Sequence, residues 1–222
     1  MPRETTRTRP QSPPLGVWAS AGAAAAVLSF VGVHVMHPPG TPEFMTDTQV
    51  AAWIAPAAKQ IAAGGSLGLL ACLLLLVFAQ GWSAQLSAWG AAPWVARLAE
   101  ASFSVTAAAL GIGATLQVAA GLSALEKAAE PSLAATLLNL YGILAISAWI
   151  LLLPAVLAGL SAFRRGPRWV FIVSAVASIM LTLGIALPPV SWGLAGAWLI
   201  AVSVGCLSTR AAGQPRHSEN PD

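Results

Sequence analysis

The sequence is poor in charged residues. Asp, Glu, Lys and Arg together make up 9% of its 222 residues, whereas soluble domains carry about 25%. A water-soluble fold is therefore not expected. The 11 basic residues exceed the 8 acidic ones only slightly, and they cluster at the chain ends and in one short internal segment. This distribution gives no support to nucleic-acid binding.

Cysteine and histidine are also scarce. Cys72 and Cys206 stand in separate apolar runs, far from any second cysteine at metal or redox spacing, so we expect two small buried side chains and no disulfide. His34 and His37, with the neighbouring methionines, are a ligand set suited to copper. However, Pro38 follows at once and makes a shared helical face uncertain. We predict no metal site and no cofactor.

What the chain has in abundance is long apolar runs. A helix of about 20 residues crosses the roughly 30 Å hydrocarbon core of a bilayer. Six runs predict such spans, at about residues 15–36, 61–82, 101–122, 134–161, 169–187 and 190–207. The fourth contains Pro154, which lacks a backbone donor and so predicts a kink. The expected fold class is an all-α, polytopic membrane helix bundle with six transmembrane helices.

The positions of the basic residues predict the orientation of this bundle. Nine arginines fall in segments that would share one side of the membrane, and Lys59 and Lys127 fall on the other. Lys and Arg are retained in the cytosol, so both termini are predicted to be cytosolic. Residues 1–14 and 208–222 are polar tails that we expect to be disordered. Abundant Ala and Gly with little Lys suggest a bacterial protein, located in the cytoplasmic membrane.

The longest predicted outer connection, residues 37–60, has a helical pattern of its own. Thr46 and Gln49 match a capping box, and apolar residues such as Trp53 then recur at helical spacing. We predict a short interfacial helix at about 46–56 that ends or bends near Pro56. It is either a connector that covers the bundle or a lid over an outward-facing pocket.

Tryptophans are expected in two environments. Rings near span ends favour the headgroup region, and these are Trp18, Trp82, Trp89, Trp94, Trp169 and Trp192. Trp149 and Trp198 stand deeper within spans and are predicted to be packing residues.

Amide and ionisable side chains within spans are costly unless they have partners, so they are candidate binding residues. Gln117 and Asn139 fall at similar depth on consecutive spans, about 8 Å below the outer surface at 1.5 Å per residue. An interhelical hydrogen bond between these amides is one interpretation. With Tyr141 and His34 they form a predicted outer-leaflet polar cluster, which is either a binding pocket or a structural contact.

Three arginines, Arg164, Arg165 and Arg168, surround a short predicted inner loop. They would bind anionic lipid headgroups, or they serve only to fix the topology of the chain.

Gly64, Ser66 and Gly68 have the spacing of the serine-hydrolase nucleophile motif, but its usual strand–turn–helix context is absent. Gly64 and Gly68 also match the small-xxx-small pattern of closely packed membrane helices, which is the interpretation that we favour. An intramembrane hydrolase built on Ser66 and His34 is the weaker hypothesis.

The basic tail, the first span, the proline-rich connection, the capped helix at Thr46 to Ile54 and the glycine-rich start of the second span together resemble a group of uncharacterised actinobacterial six-helix membrane proteins. The likeness is best over residues 15 to about 86. It implies a fold and a location but no site residues. We predict a non-enzymatic bundle that interacts with lipids, other membrane proteins or further copies of itself. The alternatives are a small-solute or lipid carrier with an outer-leaflet pocket, and the hydrolase.

Overall fold

The described part of the chain is almost entirely helical. The computed structural model describes residues 15–32, 47–125, 131–161, 166–183 and 188–213, and no β-strand occurs in these ranges. Their α-helices are α1 (Leu15–Phe30), α2 (Asp47–Ile54), α3 (Ala58–Ala88), α4 (Pro93–Leu125), α5 (Pro131–Ser147), α6 (Leu153–Ala158), α7 (Arg168–Leu183) and α8 (Pro188–Gly213). The all-α prediction is confirmed.

Three helical segments are long and apolar enough to cross a membrane: Ala52–Ala88, Pro93–Leu125 and Ser132–Ser161, with 37, 33 and 30 residues. Three shorter apolar helices accompany them, at Gly16–Phe30, Arg168–Leu183 and Trp192–Ser208. The outward faces of the long helical segments carry large apolar side chains, of which Leu73 and Ile143 are 62% and 63% exposed. Soluble proteins rarely expose such surfaces, so the helices have the character of a membrane protein.

The centre of the bundle is the hairpin of α3 and α4. The two helices make the most extensive contact in the structure. Gly90 closes the turn between them with a φ of 77°, which a side chain would disfavour. Beyond the hairpin, α1 packs against α3 and α8, α5 packs against α4, and α7 packs against α6 and α8.

Glycines allow these helices to approach closely. A Cβ atom at Gly65 would lie 2.6 Å from the carbonyl oxygen of Ala114 in α4, and one at Gly68 would lie 3.0 Å from the Ala114 Cβ. A Cβ atom at Gly32 would lie 2.8 Å from the carbonyl oxygen of Gly64. The prediction of close helix packing is therefore confirmed for Gly68.

An aromatic cluster fills the half of the bundle that contains the start of α1 and the end of α3. Phe78 is its centre, with ring centroids 5.4 Å from Trp18, 5.2 Å from Phe103 and 6.4 Å from Trp198. Trp82 joins the cluster 5.6 Å from Trp198. We call these five residues the aromatic core.

The aromatic core corrects part of the tryptophan prediction. Trp18 and Trp82 are buried inside the protein and not placed at its surface, because the small residues opposite them leave room for the indoles. Trp149 and Trp198 are buried packing residues, as predicted. Trp94, at 66% exposure, remains suited to a membrane interface.

The helix that contains Pro154 is interrupted, as the proline predicted. A 3₁₀ segment, Ala148–Leu152, separates α5 from α6. Side chains of other helices bond carbonyls at the break: the Ser102 hydroxyl donates to Leu151 O. The Trp82 indole donates to Ala155 O at 3.4 Å. The Gly159 amide, four residues after Ala155, donates to Val156 O and Leu157 O instead. The interruption is thus built into the packing.

A short helix, α2, lies within the segment for which an interfacial helix was predicted, and its position relative to a membrane stays a prediction. It ends at Ile54, and a 3₁₀ turn that contains Pro56 connects it to α3. Ile54 is 1% exposed and belongs to a second hydrophobic cluster with Ile61, Leu138 and Tyr141. This helix therefore covers one end of α4 and α5, whereas its predicted cap, Thr46, lies outside the described residues.

Both cysteines are buried, and neither forms a disulfide. Cys72 of α3 and Cys206 of α8 belong to the main hydrophobic cluster. The prediction of two apolar side chains without a disulfide is confirmed.

Candidate functional site

A small cavity lies where α1, α3, α4 and α5 meet. Its volume is about 30 Å³. Its wall comes from six segments and consists of Ser29, Gly32, Gly64, Gly68, Leu110, Ala114, Gln117, Tyr141, Ala145, Trp149 and Trp192. We call it the Gln117 cavity. Three of its lining residues are glycines, Gly32, Gly64 and Gly68.

Gln117 is the principal polar group of this cavity and is 1% exposed. Its amide Nε2 donates to the carbonyl oxygen of Gly32 at 3.3 Å. Gly32 lies in a π-helical turn just beyond α1, and such wide turns often occur at functional sites. The other amide atom, Oε1, makes no hydrogen bond to the described residues, and neither does the hydroxyl of Ser29.

Tyr141 and Gln117 line the same cavity, as the predicted cluster required, and Tyr141 is buried. Asn139 does not join them: its side chain is exposed on α5. Residues two apart on a helix point to different faces, so Asn139 and Tyr141 cannot both face α4. Since Gln117 bonds Gly32 instead, the expected amide pair between Gln117 and Asn139 is not formed.

The structure describes only some of the other predicted site residues. His34, Arg164 and Arg165 lie outside the described residues, as do the remaining residues of the possible copper set. Arg168 begins α7 and is exposed, as a residue at a membrane surface would be. Within the described ranges, no group of three or more His, Cys, Asp or Glu residues could hold a metal ion.

A larger apolar groove lies beside the cavity, between α1 and α8. It has a volume of about 380 Å³ and is lined by Ala26, Val27, Phe30, Trp149, Trp192, Gly193, Gly196, Ala197 and Ile200. None of these side chains is charged. Phe30 stacks on Trp192 with ring centroids 5.7 Å apart, which joins the two helices at the groove. We call this space the α1–α8 groove.

The groove is open because of the glycines in α8. A Cβ atom at Gly193 or Gly196 would meet no atom within 4 Å. These glycines therefore differ from Gly65, where helices touch. The sequence prediction missed the groove. The spacing of Gly193, Gly196 and Ala197, three and four residues apart, puts these small residues on one face of a helix and could have indicated it.

No protein-family model, curated protein or solved structure matches the chain. The resemblance to actinobacterial six-helix proteins therefore stays a prediction.

Ser66 has no catalytic surroundings among the described residues. It is exposed on α3, and its hydroxyl donates to the carbonyl oxygen of Ala62 at 3.0 Å. This bond, four residues back, is common for serine in a helix. Neither Ser66 nor Ala62 lines the Gln117 cavity. The geometry therefore favours a packing function for this glycine-rich stretch over a nucleophile.

Proposed function

We propose that the protein is a non-enzymatic membrane bundle that binds the hydrocarbon chain of a lipid in the α1–α8 groove. The observation that carries this proposal is the groove itself, an unfilled apolar space of about 380 Å³ between two helices. Its volume lies within the roughly 300–1,000 Å³ of small-molecule sites.

The lining of the groove supports an apolar occupant. Protein interiors are close-packed, and empty space costs free energy, so a groove on a membrane-facing seam is more stable when a chain fills it. Aliphatic and aromatic side chains offer that chain dispersion contacts along its length. Because the lining carries no charge, a charged group within the groove would be left without a partner.

The aromatic core favours binding over passage. Its five rings close the half of the bundle that lies beyond the groove and the cavity, and Phe78, Trp82 and Phe103 are fully buried. These buried rings leave little room for a lipid to pass through the interior of that half of the bundle. This arrangement speaks for a bound lipid and against the carrier alternative.

The proposal includes six spans with both termini in the cytosol of a bacterial cell, in the cytoplasmic membrane. A described helix occupies each of the six predicted segments, at least in part. Arg97 near the start of α4 and Arg168 at the start of α7 are both exposed, as cytosolic ends would require. Other membrane proteins or further copies of the chain would contact its exposed apolar faces.

A photoreactive lipid tests this proposal. The purified protein is reconstituted with an uncharged long-chain lipid that carries a diazirine in its hydrocarbon chain, irradiated, and mapped by mass spectrometry. We expect enriched labelling at Val27 and Ile200. In Gly196→Phe the new ring fills the groove, so labelling there should fall several-fold.

Gly142→Phe is the matched control, because Gly142 is also a helical glycine with no atom within 4 Å of an added Cβ, yet it does not line the groove. Its labelling should equal that of the unmodified protein. Equal labelling of Gly196→Phe and Gly142→Phe, in variants of equal thermal stability, would reject the proposal.

A further inference from the structure

We infer that the Gln117 cavity binds the hydroxyl group of the same lipid, so that the ligand is an uncharged long-chain alcohol. This inference rests on the proposed function, because it assigns the polar end of the molecule whose chain occupies the α1–α8 groove.

The first support is that the two spaces adjoin. Trp149 and Trp192 line both the Gln117 cavity and the α1–α8 groove. The polar end of a molecule whose chain lies against Val27 and Ile200 is therefore close to the cavity that Gln117 lines.

The second support is the set of unpaired polar atoms. Oε1 of Gln117 and the hydroxyl of Ser29 make no hydrogen bonds to the described residues, although Gln117 is almost fully buried. A polar atom that faces an apolar cavity gains free energy from a hydrogen-bond partner. A ligand hydroxyl can donate to an amide oxygen and accept from a serine hydroxyl, so it is a suitable partner for either atom.

The third support is size and charge. The cavity of about 30 Å³ has room for about two water-sized groups, since each needs at least about 10–15 Å³ on this measure. A phosphate headgroup does not fit. No charged side chain lines the cavity or the groove, so an ionised headgroup would have no counter-charge. A neutral hydroxyl is the group that meets both limits.

Two diazirine probes of equal length test the inference, a long-chain alcohol and the hydrocarbon in which a methyl group replaces the hydroxyl. Each is incorporated in nanodiscs with the full-length protein, and labelling of the groove is normalised to that of Leu73, which faces bulk lipid. We expect the alcohol to label the groove about five-fold more than the hydrocarbon, which is the factor given by one average hydrogen bond.

In Gln117→Met, the ratio of alcohol labelling to hydrocarbon labelling in the groove should fall close to one. Because this substitution also removes the donor to Gly32, Ser29→Ala provides a second variant that keeps that bond, and it should lower the preference. Asn139→Leu is the control, an exposed amide at similar depth, and should leave the preference unchanged.

The outcomes separate the two claims. If both probes label the groove equally and Gly196→Phe abolishes both signals, lipid binding stands and the cavity holds water only, which overturns the inference. If neither probe labels the groove above Leu73, the proposed function itself fails. An alcohol preference that survives both Gln117→Met and Ser29→Ala would also overturn the inference.

Discussion

Trp18 of α1 lies directly against the backbone of Gly81 in α3, at a point where a Cβ atom would overlap the indole. Gly81→Ala should therefore destabilise the bundle by about 1–3 kcal/mol, the usual cost of overpacking. The measurement is the free energy of unfolding in mixed micelles. Gly142→Ala, where an added Cβ meets no atom within 4 Å, is the control. An equal response of the two variants would contradict this account of α1 packing.

The hydrogen bond from Trp82 to Ala155 should be measurable on its own. Trp82→Phe keeps most of the ring but leaves the Ala155 carbonyl without its indole donor, so we expect a loss of about 1 kcal/mol from the bond, with a further loss from the smaller ring. Thermal unfolding followed by circular dichroism provides the measurement. Trp94→Phe changes an exposed indole and should leave the melting temperature almost unchanged; a comparable fall in both would argue against the bond.

Ser203 presents the opposite situation. Its hydroxyl is fully buried in α8 and has no hydrogen-bond partner within the described part of the chain. Ser203→Ala removes an unsatisfied polar group, so the free energy of unfolding should rise by about 1 kcal/mol. Ser178→Ala is the control, because the Ser178 hydroxyl donates to the carbonyl oxygen of Ser174 at 2.7 Å. Stabilisation of Ser178→Ala by the same amount would show that the partner is irrelevant.

Thiol labelling in intact cells tests the proposed orientation. The native cysteines Cys72 and Cys206 are buried and should stay silent. Lys59→Cys, on the predicted outer side, should react with a membrane-impermeant maleimide. Arg97→Cys should react only after permeabilisation. Labelling of both positions in intact cells, or of neither, would contradict six spans with cytosolic termini.

Much of the helical architecture could be predicted because apolar runs, prolines and glycines act through residues that are adjacent in the sequence. Pro154 interrupts the backbone hydrogen bonds of a helix because it has no N–H group. Gly64 and Gly68 allow another helix to approach closely, whichever helix that is. The burial of Cys72 followed equally from its apolar neighbours. These features depend on a few adjacent residues, so a sequence pattern is sufficient to find them.

The site was predictable only in part, because it depends on which helix faces meet. The positions of Gln117, Asn139 and Tyr141 along their spans predict a similar depth in the membrane. The rotation of α5 about its axis decides whether Asn139 or Tyr141 faces α4, and position along the span does not give that rotation. Trp18 was misassigned for the same reason. Its position near a span end suggested an interface, whereas the glycine opposite it, 63 positions later in the sequence, makes it a core residue.

The interruption before Pro154 also bears on how the bundle can move. Ser102 of α4 donates to Leu151 O in the 3₁₀ segment, and Trp82 of α3 donates to Ala155 O, just after Pro154. The chain on both sides of Pro154 is therefore bonded to the central hairpin. These two hydrogen bonds should keep the segment around Pro154 fixed when a ligand binds. We expect any rearrangement on binding to occur where α1 packs against α8.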